Sequence, residues 1–462
     1  MPLPTVAVEI PDAAAVAIAE GTGRVSLGWL SVGYRMEHVD LLISAGWVLP
    51  VEPHGQVLEQ HSVAIAQGRI VTVLPTAQAL QRFGPECHIE RPGHVLLPGL
   101  VNAHTSAAMS LLRGAAEASS LASWVAQIER LQHRWIDAEY VRDGTELALA
   151  DMLTSGTTCC GDVHLYPEVV AQCVSQARMR ACIGLPVHQH ANAWAGSVDE
   201  SLDQGLRLRD EYRADPLITT ALAPCGPLSD ATLARLQRIA DELELPVVIS
   251  MHEAGTEHYG LQRLERLGML TPLLLAAQLP ELTGAALELA SQAGITVAHC
   301  PQSNLKLRMG VCSVTELLAS GVNVALGSGV PAANNDLDLF DELRTAALLA
   351  NGLSRPSAPP LSPHDWLKIA TLNGARALGL DAEIGSLRAG KWADLCCVNL
   401  QRVHSQPVYD AAAQLLYAMC RDQVSDVWVA GRALLLDGRL TQFDSGDLMA
   451  RAQRWRARIA AA

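Results

Sequence analysis

Eight short apolar runs, each followed by a longer stretch, most of them of helical periodicity, limit the possible folds of this 462-residue chain more than any other feature. This alternation is typical of βαβ units, and eight such units in series predict a (β/α)8 barrel. Serines at positions 229 and 362 precede two of the helical stretches, where N-cap residues are expected. The eight runs are LVNAH, GTTCCGDVH, ACIGLPVHQH, ITTALAPC, VVISMHE, LLLAAQ, ITVAHC and NVALGSG.

Short β-rich runs separated by glycine and proline flank this region at both ends of the chain. They occupy Val39 to Leu74 and return near the C-terminus as ADLCCVNL and DVWVAGRALLLDGRL. Two distant strand sets of this kind predict one small β-sandwich built from both termini. We therefore expect an α/β protein in which residues 1–97 and 385–462 form the sandwich with a terminal helix, and residues 98–384 form the barrel.

The composition excludes several classes of protein. A formal net charge of -14 argues against nucleic acid and anionic membranes as partners. The chain contains neither an apolar run of about 18 residues nor basic residues ahead of its N-terminal apolar tract, so neither a spanning helix nor a signal peptide is expected. Its 11 cysteines include two adjacent pairs and no CxxC motif, which favours reduced thiols in the cytoplasm.

The residues that close the eight runs are the candidates for chemistry, because barrel active sites form at the C-terminal ends of the strands. Five segments there resemble the methylthioadenosine/S-adenosylhomocysteine deaminase group of the amidohydrolase superfamily, which includes triazine hydrolases. The resemblance covers nearly the whole chain from about Val39. The segments are PGLVNAHTSAAMSLLRG, DMLTSGTTCCGD, VAHCPQSNLKL, NNDLDLFDELRTAALLA and TLNGARALG.

The resemblance implies a divalent metal at the barrel mouth. In this family its ligands are an HxH pair after the first strand, a His after the fifth and an Asp after the eighth. A Glu three residues beyond the fifth-strand His shuttles protons, and a His after the sixth strand steadies the metal-bound hydroxide. Such chemistry relies on a metal that lowers the pKa of its bound water towards about 7.

The chain departs from that pattern at most of these positions. His104 is kept, but the second residue of the pair is Ser106, and the eighth strand ends in Gly327-Ser328-Gly329. The fifth strand keeps His252, but the proton-shuttling position falls on Gly255, and Gln278 stands where the family has its sixth-strand His. Two histidines hold a catalytic zinc poorly, since such sites need about three protein ligands. We therefore expect no cofactor, and zinc in particular is not expected.

Several other ionisable residues gather near the strand ends, which favours an acid/base pocket that works without metal. The candidate catalytic residues are His164, His188, His190, His252 and Glu253. The candidate substrate-binding residues are His104, Ser106, Cys225, Gln278, His299, Ser328 and Asn334. Two further readings stay open at this point: His188-Gln189-His190 as a relocated metal pair, and Cys225 as a nucleophile.

These residues favour a metal-independent enzyme that acts on a small nitrogenous heterocycle or a nucleoside-like compound. One alternative is a non-catalytic homologue that binds a ligand or pairs with an active subunit. Another is a metal-dependent deaminase whose ligands come from other positions. The expected partner is a small molecule, and the resemblance implies a homodimer.

Overall fold

A computed structural model describes residues 36–116, 121–251, 260–279, 282, 284–353 and 360–461 of the chain. Two eight-stranded sheets make up its β structure. The strands are β1 (Glu37–Val48), β2 (Leu58–Ala66), β3 (Arg69–Pro75), β4 (Phe83–Pro98), β5 (Leu100–Thr105), β6 (Thr157–Val163), β7 (Arg180–Val187), β8 (Ile218–Pro224), β9 (Val247–Ser250), β10 (Leu274–Ala277), β11 (Thr296–His299), β12 (Asn323–Leu326), β13 (Leu395–Asn399), β14 (Val424–Val429), β15 (Arg432–Leu436) and β16 (Arg439–Leu440).

Among the described residues, the helices between β5 and β12 separate the barrel strands, and the others follow the barrel or belong to the terminal sheet. They are α1 (Thr76–Arg82), α2 (Leu121–Trp135), α3 (Ala138–Thr154), α4 (Pro167–Ala177), α5 (Val198–Tyr212), α6 (Asp230–Leu243), α7 (Leu261–Arg266), α8 (Ala285–Ala293), α9 (Pro301–Lys306), α10 (Val314–Ala319), α11 (Pro331–Asn334), α12 (Leu339–Leu353), α13 (Pro363–Lys368), α14 (Gly374–Ala377), α15 (Ala411–Tyr417) and α16 (Ser445–Ala460). A π-helical turn, Ile369–Asn373, connects α13 to α14, and 3-10 turns span Ala107–Leu112, Val403–Ser405 and Arg421–Gln423.

Strands β5 to β12 form a parallel barrel in which each strand pairs with the next along the chain. A bridge between Thr105 and Gly329 joins β5 to β12 and nearly closes the ring. The interior is filled largely by small side chains such as Ala103, Cys159 and Ala221. The neighbouring Cys160 packs in the outer core, because successive side chains of a strand point to opposite faces. The predicted (β/α)8 barrel is confirmed, and each of its eight strands falls on one of the eight runs, with β5 and β7 each extending one residue beyond its run.

The other sheet contains the strands from both termini in the order β16-β15-β14-β13-β4-β1-β2-β3. The C-terminal strands join the N-terminal ones where β13 pairs antiparallel with β4, for example Cys397 opposite Leu96. Strands β1 and β4 pair in parallel, with the β2–β3 hairpin and α1 between them in the chain. The sequence did not predict this parallel pair, because turn signals identify hairpins and do not reveal which distant strand becomes a neighbour.

The two predicted helix starts are confirmed by capping hydrogen bonds. The Ser229 side chain accepts from the Thr232 amide at the start of α6. Ser362 accepts from the Asp365 amide, and the Asp365 carboxylate accepts in return from the Ser362 amide, which forms a capping box at α13. These caps satisfy amide groups that a helix leaves without partners inside itself.

Two polar contacts anchor the flanking elements to the barrel. The buried guanidinium of Arg180, on β7, donates to Asp394 beside β13 with an Nε to Oδ2 distance of 2.7 Å. On the outside, Trp455 of α16 donates from its indole nitrogen to Asp143 of α3 at 2.8 Å and packs edge-on against Tyr140. In the part of the chain that is described, no helix is long and apolar enough to cross a membrane.

Candidate active site

A cavity of about 410 Å³ opens at the C-terminal ends of the barrel strands. This volume is typical of sites for small organic ligands. Its polar wall includes Ser106, Glu129, His164, His188 and Gln278. Its apolar wall comes from α2, the 3-10 turn after β5 and the segments after β11 and β12, and includes Met109, Trp124, Ile128, Leu307, Met309 and Val330.

His104 lies near the end of β5 and is almost completely buried. Burial lowers the pKa of its imidazole to about 4, so the ring is neutral near pH 7. Its Nδ1 has no hydrogen-bond partner among the described residues. Ser106, two residues on, lines the cavity but donates its hydroxyl to the Val163 carbonyl at 2.9 Å. Ser106 therefore ties the β5 loop to β6.

Asp162 is a buried acid at the end of β6 that the sequence did not single out. Its Oδ1 accepts from the Ala107 amide at 2.5 Å and so holds the start of the 3-10 turn, while Oδ2 has no partner in the described structure. Burial raises the pKa of this carboxyl to about 7, and the Ala107 amide opposes that rise. The sequence signal was its place one residue before the end of a barrel strand.

Strand β9 ends at Ser250, which corrects the position of the fifth-strand site. The Ser250 hydroxyl is buried and donates to Oε1 of Gln278 at 3.0 Å, at the mouth of the barrel. The strand-end position is thus Ser250, two residues before His252. Glu253, and not Gly255, then lies three residues beyond it, where the family has its proton shuttle. His252 and Glu253 themselves lie outside the described residues.

The end of β12 is rigidly packed against its neighbours. The Ser328 amide donates to Oδ1 of Asn102 at 3.0 Å, and Nδ2 of Asn102 donates back to the Ser328 hydroxyl at 2.8 Å. Asn334 donates to the Ser328 carbonyl and to Glu342. Neither Ser328 nor Asn334 lines the cavity, although the sequence analysis proposed both as substrate contacts. In the described structure they shape the loop.

The remaining predicted residues divide between the cavity and other positions. His164, His188 and Cys225 line the cavity, and Cys225 donates its thiol to the Ala223 carbonyl at 3.3 Å. His190 is exposed and lies outside the cavity wall. His299 is buried in the barrel, and burial lowers its pKa to about 4. The relocated pair His188 and His190 therefore does not converge on the cavity.

Groups able to hold a metal were sought among the described residues. Three ligating side chains come close together on the terminal sheet, at His38, Asp40 and Glu86, and no such group lies at the barrel mouth among those residues. At the mouth, His104 is the one imidazole of the described residues at a family ligand position. Ser106 and Ser250 stand at two other such positions and are poor zinc ligands, and Gly329 has no side chain that could bind zinc. The described mouth therefore supplies fewer than the three protein ligands of a catalytic zinc site.

Comparison with known proteins identifies the family. The model of the amidohydrolase family matches residues 95–434. The chain belongs to the amidohydrolase family. A 5-methylthioadenosine/S-adenosylhomocysteine deaminase of Teredinibacter turnerae is 40% identical over 435 residues, which cover 92% of this chain and 98% of that protein. A homologue with the same name from Saccharophagus degradans is 37% identical over 434 residues, 91% of this chain and 97% of its own.

Solved structures of amidohydrolases share the fold. An adenosine deaminase from Xanthomonas campestris with bound zinc is 44% identical, with a TM-score of 0.90 over 92% of this chain and 100% of its own. Atrazine chlorohydrolase from Arthrobacter aurescens, complexed with zinc, has a TM-score of 0.81 over 90% of this chain and 99% of its own. At 23% identity, that second likeness shows the fold alone.

These comparisons overturn three expectations from the sequence. The prediction of a metal-independent enzyme is wrong, and so is the alternative of a non-catalytic homologue, because the relatives are named as deaminases. The prediction of no cofactor is also wrong, because the 44% identical relative holds zinc. The misplaced fifth-strand site contributed to the error, since it made the proton-shuttling Glu seem lost.

Proposed function

We propose that this amidohydrolase is a hydrolytic deaminase of an uncharged adenine nucleoside, such as adenosine or methylthioadenosine, and that it requires zinc. The observation that carries the proposal is its full-length likeness, at 44% identity and a TM-score of 0.90, to an adenosine deaminase with bound zinc. The methylthioadenosine/S-adenosylhomocysteine deaminases at up to 40% identity support the same reaction.

The cavity supports a nucleoside as the substrate. Its volume of about 410 Å³ suits a ligand of that size. An aromatic and thioether wall with Trp124, Met109 and Met309 can pack against the flat faces of a purine or against an apolar substituent. On the other wall, His164, His188 and Gln278 offer the few polar groups that orient a ligand in such a site.

Zinc would require protein ligands beyond His104. The segment 252–259 contains His252, Glu253, Glu257 and His258 and directly follows β9. Side chains of these types ligate zinc, and the proposal is the alternative of a metal-dependent deaminase whose ligands come from other positions than the family's.

Glu253 is proposed as the group that carries protons to and from the reacting purine. Its place three residues beyond Ser250 supports this role. A proton carrier of this kind contributes about 10²–10⁴-fold to rate. Glu253→Gln should therefore lower kcat for ammonia release by about that factor, with Glu265→Gln, which changes an exposed carboxylate on α7, as the control. Equal activity of the Glu253→Gln variant and the unaltered protein would refute the role.

The proposed function is tested by metal analysis combined with an ammonia-release assay on adenosine and methylthioadenosine. We expect about one zinc per chain, loss of activity on chelation and recovery on addition of zinc. His104→Ala should lower the zinc content, whereas His190→Ala, which changes an exposed ring outside the cavity, should not. Purified protein that neither binds zinc nor releases ammonia from either nucleoside would contradict the proposal.

A further inference from the structure

His164 borders the cavity immediately after β6, and the protein fixes which of its two ring nitrogens carries hydrogen. Nδ1 lies 3.0 Å from the Leu165 carbonyl oxygen. A carbonyl oxygen can only accept a hydrogen bond, so Nδ1 is the donor. In a neutral imidazole the other nitrogen, Nε2, is then an acceptor.

The surroundings keep that ring neutral. Burial lowers the pKa of His164 to about 4, and the nearby ring of His188 lowers it further, while the Leu165 carbonyl opposes the change. Burial also lowers the pKa of His188. At pH 7, His164 Nε2 therefore presents a lone pair and no proton.

Nε2 of His164 is buried and has no hydrogen-bond partner within the described residues. A buried acceptor without a partner is destabilising, so native structures nearly always satisfy such atoms. Because His164 lines the cavity, a donor on a bound ligand can supply that partner.

We infer that His164 is a specificity-determining residue whose Nε2 accepts a hydrogen bond from an N–H or O–H group of the bound nucleoside. This assignment rests on the proposed function, since it takes adenosine as the ligand. The position follows β6 in the chain and is separate from His104, which is at a family ligand position. His164 would select ligands that carry a donor at one fixed place.

The test measures adenosine binding by stopped-flow quenching of tryptophan fluorescence, before turnover, because Trp124 lies in the cavity wall. His164→Phe keeps a ring of similar size and removes the acceptor. It should weaken binding by about 10-fold or more, the usual cost of an unmatched buried donor. His164→Gln, whose amide oxygen can accept, should recover part of the loss, and His190→Phe serves as the surface control. Melting temperatures confirm that each variant folds.

Four analogues then identify the donor, since each lacks one of the four groups of adenosine that can donate a hydrogen bond, the 6-amino group and the three hydroxyls. They are purine riboside and the 2′-, 3′- and 5′-deoxy forms of adenosine. For one of them, the unaltered protein and His164→Phe should bind equally well. If His164→Phe weakened the binding of all five ligands equally, or weakened the binding of none, the assignment would be overturned and the proposed function would stand. If the unaltered protein bound none of the five, the proposed function would fail, and the assignment with it.

Discussion

At the scale of single residues, the barrel mouth combines ionisable groups that burial keeps neutral. His104, His164 and His299 each have a pKa lowered to about 4, and Asp162 has a pKa raised to about 7. Each group thus favours its uncharged form in the folded protein. A mouth of this kind recognises ligands through hydrogen bonds and shape more than through charge.

Asp162 provides a test of this burial with a defined sign. Its pKa is raised in the folded state, so its contribution to stability is present in acid and is lost as pH rises from about 4 to about 7. Asp162→Asn keeps an oxygen that can accept from the Ala107 amide and does not titrate. The gain in unfolding free energy from this substitution should therefore be larger at pH 8 than at pH 5, by about 2 kcal/mol.

Denaturant unfolding at the two pH values checks this prediction. Asp210→Asn, which alters an exposed carboxylate on α5, is the control and should show no such difference. In the contrary case, the unfolding free energies of the Asp162→Asn and unaltered proteins differ by the same amount at both pH values, or by less at pH 8. Either result would show that Asp162 ionises freely in the fold.

The position of each residue along its strand was harder to predict than the strand itself. The run VVISMHE continues past the end of β9, so hydrophobicity alone did not reveal that Ser250 and not His252 ends the strand. Ser328 and Asn334 were predicted as ligand contacts because they lie in family motifs. Their role in fastening the β12 loop depends on Asn102, more than 200 residues away in the chain, and local sequence carries no sign of that pairing.

At the scale of elements, the periodicity predicted the barrel because each βα unit is a local pattern. The loops at the barrel mouth do not follow such a local pattern. Gly329 illustrates this point, since it follows β12 with φ of +66° and bridges to Thr105. A methyl group at Gly329 would lie 2.8 Å from the Ser303 hydroxyl oxygen and 3.1 Å from Nε2 of Gln278. The conformation of this loop therefore favours glycine at position 329, because a side chain there would clash with Ser303 and Gln278.

Gly329→Ala should destabilise the protein by more than a positive backbone angle alone explains. The matched variant is Gly268→Ala, where φ is +70° and a methyl group meets nothing within 4 Å. The control should cost about 1 kcal/mol, from backbone strain, and Gly329→Ala about 2–3 kcal/mol, because the Ser303 and Gln278 side chains must also shift. Thermal unfolding of both variants measures the difference. Equal losses would mean that the β12 loop relaxes freely around a side chain.

At the scale of the whole molecule, charge separates the substrates that the cavity can accept. The chain carries a formal net charge of -14, and the described cavity wall contains Glu129 but neither lysine nor arginine. In the sequence, segments 117–120 and 280–283, which adjoin the cavity residues Leu121 and Gln278 in the chain, contain neither lysine nor arginine, and neither does segment 252–259. A phosphate or carboxylate on the ligand would thus lose its hydration without gaining an ion pair.

We accordingly predict that adenosine 5′-phosphate is a much poorer substrate than adenosine, with kcat/KM lower by about 10²-fold or more. Methylthioadenosine should likewise be preferred to S-adenosylhomocysteine, which carries an amino-acid carboxylate.

Two causes of such discrimination can be separated by changing the salt concentration. Long-range repulsion by the net charge is screened over about 10 Å in 0.1 M salt and weakens further as NaCl is raised. The absence of a lysine or arginine from the described cavity wall is a local feature, and its effect does not depend on salt in this way. The ratio of kcat/KM for the two adenosine compounds should therefore change little between 0.05 and 0.5 M NaCl. A ratio that approached one at high salt would place the selectivity in the overall field of the protein, and equal rates at low salt would mean that a cation reaches the cavity from elsewhere.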